Sequence, residues 1–159
     1  MIQHDATLKR MELLLGLVSK EEVIAWADDA IARMSQPHPI LFDLSLAGNR
    51  TDKDIVTMLG QLGDGGDPAE VAATVFHRFC RSLHHDLKSG MLKSDEVAHR
   101  LYRVAWQTEL QVPEDSAQFC NWVDDEFALV RQGIKERGPA EDALLEFLRK
   151  FDDTSTALM

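Results

Sequence analysis

The chain offers few of the residues from which catalytic or membrane functions are usually read. Its only cysteines, Cys80 and Cys120, stand far apart with no metal-knuckle spacing. Both fall beside apolar positions on predicted helices, as expected for small buried residues in a reducing compartment. No apolar run approaches the roughly 20 residues of a membrane span, and no basic-then-apolar signal opens the chain, so a cytoplasmic location is expected. No stretch alternates polar and apolar residues for long enough to demand a strand. A Gly-x-Ser-x-Gly elbow is missing. Gly63-Asp64-Gly65-Gly66-Asp67 lacks the lysine of a phosphate-binding loop, its aspartates would repel phosphate, and two aspartates are too few for an EF-hand set. Positive charge is also scarce: 17 Lys+Arg stand against 27 Asp+Glu, for a net charge of -10. Such a field disfavours nucleic acid and anionic lipid and favours cationic partners, while also keeping a protein soluble.

What the chain does contain is helix. At 159 residues and 45% hydrophobic composition it suits one core. Helical periodicity predicts about eight helices. The first runs over 7–15 with Thr7 as N-cap, followed by 20–35, 40–47 behind Pro39, and 51–62 behind Thr51. The fifth and longest runs over 68–89, opened by Asp67 and Pro68, and is followed by 95–110. The seventh, opened by Pro113, carries Phe119, Val123, Phe127, Val130 and Ile134 on one face. The last, over 140–151, follows a break at Gly138-Pro139. The segment 40–47 is apolar nearly all round and is expected to be deeply buried. The fold class is all-α: a single-domain helical bundle over 1–151 with a flexible tail over 152–159. Any divide into halves would fall at the glycine-rich loop 63–68.

One junction recurs. Gly16 can close a helix in the left-handed conformation, and Ser19 with Glu22 has the spacing of a capping box. Gly90 to Val97 aligns with Gly16 to Val23 without a gap, which reads either as two related helix-turn-helix halves or as two ordinary junctions. The stretch Gly16-Leu17-Val18-Ser19-Lys20-Glu21-Glu22-Val23-Ile24-Ala25-Trp26-Ala27-Asp28, followed by Leu41-Phe42-Asp43-Leu44-Ser45-Leu46-Ala47, resembles small bacterial helical proteins of the toxin-immunity type. That resemblance covers the first third of the chain. It implies a cytoplasmic protein that neutralises a toxin domain by occlusion, with no catalytic residues to carry over.

Three constellations could carry chemistry. His77, Cys80 and His84 lie along one side of the fifth helix, as zinc ligands or as ordinary boundary packing. Glu96-x-x-His99 has the spacing of a di-metal ligand pair but no second copy, so that site is rejected. Glu126 projects among Phe119, Trp122, Leu129 and Val130. There it is either a carboxyl of raised pKa or one half of an ion pair with Arg100 or Arg103. The acidic clusters Asp28-Asp29, Glu114-Asp115 and Asp124-Asp125 remain. The middle one suits a helix N-terminus. The others are expected to supply contacts to a basic protein partner, through Asp28, Asp29, Asp124 and Asp125 with Trp122 as an anchor. The leading expectation is therefore a non-enzymatic interaction module without cofactor or metal. The alternatives are a helical enzyme or metal-binding protein using His77, His84, His99 or Glu126, and a helical adaptor or homodimer.

Overall fold

Left-handed glycines turn one helix into the next at three places. Gly16, Gly90 and Gly133 adopt φ of 73°, 82° and 75°, a region in which a side chain would be strained. In each case the next N-cap follows three residues later, at Ser19, Lys93 and Glu136. Around Gly16 the Leu17 N–H donates to the Glu12 carbonyl at 2.9 Å and the Gly16 N–H to the Leu13 carbonyl at 3.1 Å. Around Gly133 the equivalent bonds run from Ile134 to Leu129 and from Gly133 to Val130. These paired bonds satisfy carbonyls that a helix end leaves open. Ser19 completes the capping box: its Oγ accepts the Glu22 N–H at 3.2 Å, and Glu22 Oε2 accepts the Ser19 N–H at 3.1 Å. Lys93 has no side-chain acceptor, so only the Glu96 half of that box forms there, at 3.2 Å.

The structure, a computed structural model, describes residues 2–63, 68–106 and 112–152. Among them are eight α-helices and no strand, so the fold is all-α. In order they are α1 (Ile2–Leu14), α2 (Lys20–Arg33), α3 (Pro39–Ser45), α4 (Asp52–Gly60), α5 (Pro68–Ser89), α6 (Ser94–Ala105), α7 (Glu114–Arg131) and α8 (Arg137–Arg149). The chain divides into two compact units, residues 1–71 and 72–159. The boundary falls one turn into α5, just after the glycine-rich segment. The expected cap at Asp67 lies outside the described residues, as does the tail beyond Asp152.

In the first unit α2 packs on α3 and α1 on α4. Val23, Ala27 and Ala30 of α2 meet Leu41 and Leu44 of α3 and Ile55 and Leu59 of α4 in one fully buried cluster. Trp26 packs against it, partly buried. In the second unit α6 and α7 are the most closely packed pair, and α8 covers both. Asp95 at the start of α6 faces Arg131 at the end of α7, while His99 faces Asp124, so the two helices run antiparallel. Rings tie α7 to α8 and α5 to the turn that follows α8: Phe119 stacks on Phe147 at 4.2 Å, and Phe76 meets Phe151 edge-on at 5.7 Å.

Several boundaries and burials differ from expectation. Thr7 is not an N-cap. It sits buried inside α1, with its hydroxyl donating to the Gln3 carbonyl one turn back at 2.9 Å, a bond that serves threonine within a helix as well as at its start. Gly138-Pro139 does not break the chain before α8 but lies in its first turn, where a proline is tolerated because those N–H groups have no intrahelical partner. Helix α6 ends at Ala105 with Trp106 as its C-cap, short of 110; residues 107–111 lie outside the described ones. Ile134 follows the left-handed Gly133 and is 65% exposed, so it does not extend the α7 core face. The segment 40–47 is not buried all round: Ile40, Leu41, Leu44 and Ala47 are, but Phe42 and Leu46 face outward.

Candidate interaction site

The residues expected to meet a partner are differently placed. Asp28 and Asp29 are exposed on α2 in the first unit; Trp122, Asp124 and Asp125 lie on α7 in the second. Asp28 accepts a hydrogen bond from the Ser45 hydroxyl, and Asp29 pairs with Arg33 one turn on at 2.8 Å. Asp124 is half-buried, 3.5 Å from His99 Nδ1. Asp125 is exposed on the side of α7 that also presents Trp122, whose ring packs on Phe119 at 5.8 Å. Glu114 and Asp115 occupy the first turn of α7, where negative charge complements the helix dipole.

The histidines and Glu126 each have their own partner. His84 is buried, with Nδ1 2.8 Å from the Asp152 carboxylate. The His77 ring packs on Phe151 at 5.5 Å, and Cys80 is fully buried. Among the described residues no group of three or more His, Cys, Asp or Glu could hold a metal ion. Glu126 does form an ion pair, but with Lys135, at 2.8 and 3.0 Å, and not with Arg100 or Arg103. The turn at Gly133 folds Lys135 back toward α7, which a straight helical projection does not anticipate. The two thiols are chemically quiet. Burial, and next to it the charge of Cys120, drives the Cys80 thiol well up, and burial pushes Cys120 up to about 12; thiolate is the reactive form.

Asp152, expected in a flexible tail, is held at the surface of the second unit by His84 and by Lys88 Nζ at 3.5 Å. Burial works to raise its carboxyl, but the hydrogen bond from His84 and the charges of His84 and Lys88 outweigh it and lower the pKa below the ordinary 3.8. A carboxyl lowered on folding stabilises the fold above its unfolded value and loses that contribution as pH falls through the folded one. At 42% exposure, solvent screening keeps the effect to about 1 kcal/mol or less. Asp152→Asn is expected to lower stability in urea melts at neutral pH, with the gap to wild type closing as pH falls below 3.8. A gap that persists in acid would assign the loss to packing.

The feature of the first unit best suited to contact is a groove between α3 and α4. Pro39 starts α3 at its first helical position, and His38 Nδ1 accepts the Ile40 N–H at 3.1 Å. Seven residues make fewer than two turns. Ile40, Leu41 and Leu44 therefore point into the core while Phe42, Asp43 and Leu46 project from the opposite side. Thr51 caps α4 by accepting the Asp54 N–H at 3.1 Å, which presents Asp54, Met58 and Gln61 along one edge. Between the helices lies an open groove of about 510 Å³ lined by Ile40, Asp43, Leu46, Arg50, Asp54 and Met58 among others. Leu46 is 84% exposed and Phe42 47%. Among the described residues Asp43 and Asp54 have no ion-pair partner, and they outnumber the single Arg50.

Comparison with protein-family models, curated proteins and solved structures finds no match. The site therefore rests on geometry alone. No helix among the described residues is long and apolar enough to cross a membrane. Helical projection of residues 40–46 would have found the exposed Leu46 and Phe42, since 42, 43 and 46 fall opposite 40, 41 and 44. The acidic dipeptides are more conspicuous in the sequence, but Asp29 and Asp124 are matched within the fold, by Arg33 and His99.

Proposed function

We propose that this chain is a non-enzymatic protein-interaction module that receives a basic amphipathic helix of a partner in the α3–α4 groove. The observation that carries the reading is Leu46, 84% exposed in a groove where Asp43 and Asp54 outnumber Arg50 and form no ion pair among the described residues. A large apolar side chain left in water gives up about 1.5–3 kcal/mol that burial by a partner would recover. Unmatched carboxylates beside it favour a partner with lysine or arginine flanking its apolar stripe, and the net charge of -10 steers such a partner in. In its finer form, after the resemblance of residues 16–28 and 41–47, the module is an immunity protein that occludes a basic toxin domain. Asp28, whose partner Ser45 directly precedes Leu46, belongs beside this groove as a secondary contact. Asp125 with Trp122 would be a separate contact on the second unit.

Affinity capture from the native host, quantified by mass spectrometry, tests this with wild type, Leu46→Asp and the double variant Asp43→Lys/Asp54→Lys. A basic protein recovered by wild type, depleted by either change and released by moderate salt supports the reading; if it is a toxin domain, the finer form holds. Recovery indifferent to both variants and to salt would sink it. All three positions are exposed, so circular dichroism of the variants should match wild type.

A further inference from the structure

A second surface is richer in arginine, although the Asp124 carboxylate lies beside its His99. Between α6 and α7 lies an open pocket of about 430 Å³ lined by Asp95, Glu96, His99, Arg100, Arg103 and Arg131. In a chain of net charge -10, this lining sets three arginines against two carboxylates. Both carboxylates are engaged. Glu96 accepts the Lys93 N–H at 3.2 Å, and Asp95 faces Arg131 at 4.0 Å. Arg100 and Arg103 have no carboxylate within ion-pair distance among the described residues. They stand three apart on α6, and Trp106, the C-cap three residues after Arg103, lies beyond the pocket lining at the next step along the helix.

A run of rings lies on the adjoining side of α6, and of its three members only His99 lines the pocket. His99 stacks on Tyr102 with centroids 6.1 Å apart and planes 24° apart, and Tyr102 meets Trp106 at 6.1 Å and 67°. Trp106 is 66% exposed and ends the run with an open indole face. Guanidinium groups match the oxygens of a phosphate in a planar fork, and an exposed indole offers a platform for a flat ring.

We infer that this pocket, together with the exposed indole three residues beyond Arg103, binds a phosphate monoester carried on a flat ring, the chemistry of a nucleoside monophosphate. The phosphate lies on Arg100 and Arg103 and the ring lies against Trp106. Asp95 and Glu96 limit the anion to a small one, since a chain of phosphates would extend over them, and the overall negative field excludes polymeric nucleic acid. This site is independent of the α3–α4 groove and of the partner proposed for it.

Isothermal titration of the full chain with adenosine monophosphate, inorganic phosphate and adenosine tests the assignment. Fluorescence of a Trp26→Phe/Trp122→Phe variant, which leaves Trp106 as the sole tryptophan, reports on the ring. The expected result is saturable binding of the monophosphate that is tighter than either fragment. It should weaken about tenfold or more in Arg103→Gln and Arg100→Gln and quench Trp106. In Trp106→Ala the monophosphate should bind no better than inorganic phosphate. No saturation at millimolar ligand, equal binding of monophosphate and inorganic phosphate to wild type, or affinity unchanged in the arginine variants would each overturn it. Arg100, Arg103 and Trp106 are exposed, so these variants keep the fold, and the wild-type titration stands even if Trp26→Phe does not.

Discussion

Phe127→Ala is expected to lower the stability of the second unit by about 3–5 kcal/mol, the range for deleting a buried aromatic side chain. Among the described residues Phe127 is the largest side chain with no exposure to solvent. It sits in the C-terminal third of α7, the helix that packs on both α6 and α8, and the Arg137 guanidinium lies 5.9 Å from its ring centroid. Truncation therefore opens a cavity at the centre of three helices, where none can close it without leaving the others. Against the 5–15 kcal/mol of a typical domain, such a loss removes a large fraction of the total. Urea denaturation followed by circular dichroism would measure it. A change below about 1 kcal/mol would mean that the site collapses around the missing ring or that this unit contributes little to the observed transition. The neighbouring Trp122→Ala, at a half-exposed position, is expected to cost much less.

Helix type and most helix starts are written locally in the chain, and those were legible. Gly16, Ser19 and Glu22 specify a stop, a cap and a reciprocal cap through residue chemistry alone, and all three act as their types require. Thr51 and Pro39 likewise mark starts that the structure shows. What was not legible depends on what each helix packs against. The first turns of α1, Ile2 to Thr7, show no regular apolar spacing, yet they are helical, with Ala6 and Thr7 buried. Glu12 is likewise fully buried, with Lys9 Nζ at 3.8 Å, in a position that a binary apolar pattern assigns to solvent.

The recurrence of Gly-x-x-N-cap illustrates the same limit. Gly16 and Gly90 align by residue type, but Gly133 repeats the geometry with an arginine, a glycine and a proline where the others have a lysine or serine and two acids. Seven residues after each glycine comes a buried small or β-branched residue: Val23, Val97 and Ala140. A junction found three times with only partial sequence likeness is a local solution to joining two helices. It needs no duplicated half to explain it. Of the candidate site, Asp28, Asp29, Asp124 and Asp125 were visible as charges, but whether a charge is matched depends on residues distant in sequence, as with Asp124 and His99.

The same distinction predicts opposite outcomes for two leucines two residues apart. Leu44→Ala is expected to cost about 2–5 kcal/mol, and Leu46→Ala to fall within about 0.5 kcal/mol of wild type. Leu44 has no exposed surface and packs with Leu41, Ala27 and Ile55 in the core of the first unit, whereas Leu46 is 84% exposed. Because α3 is short, it is held in place by His38, Pro39 and its buried leucines more than by its own backbone bonds, and loss of Leu44 frees the helix to fray. Fraying of α3 would also dissolve one wall of the groove. Leu44→Ala should then weaken partner capture as a consequence of unfolding, and stabilising osmolytes should restore it. Leu46→Ala should weaken capture while leaving the urea midpoint unchanged, and no osmolyte should rescue it. If Leu46→Ala destabilised the chain as much as Leu44→Ala, Leu46 would belong to the core and the groove would lose its anchor. A stable Leu46→Ala variant with lost capture would instead mean that this leucine is kept at the surface for contact with another molecule.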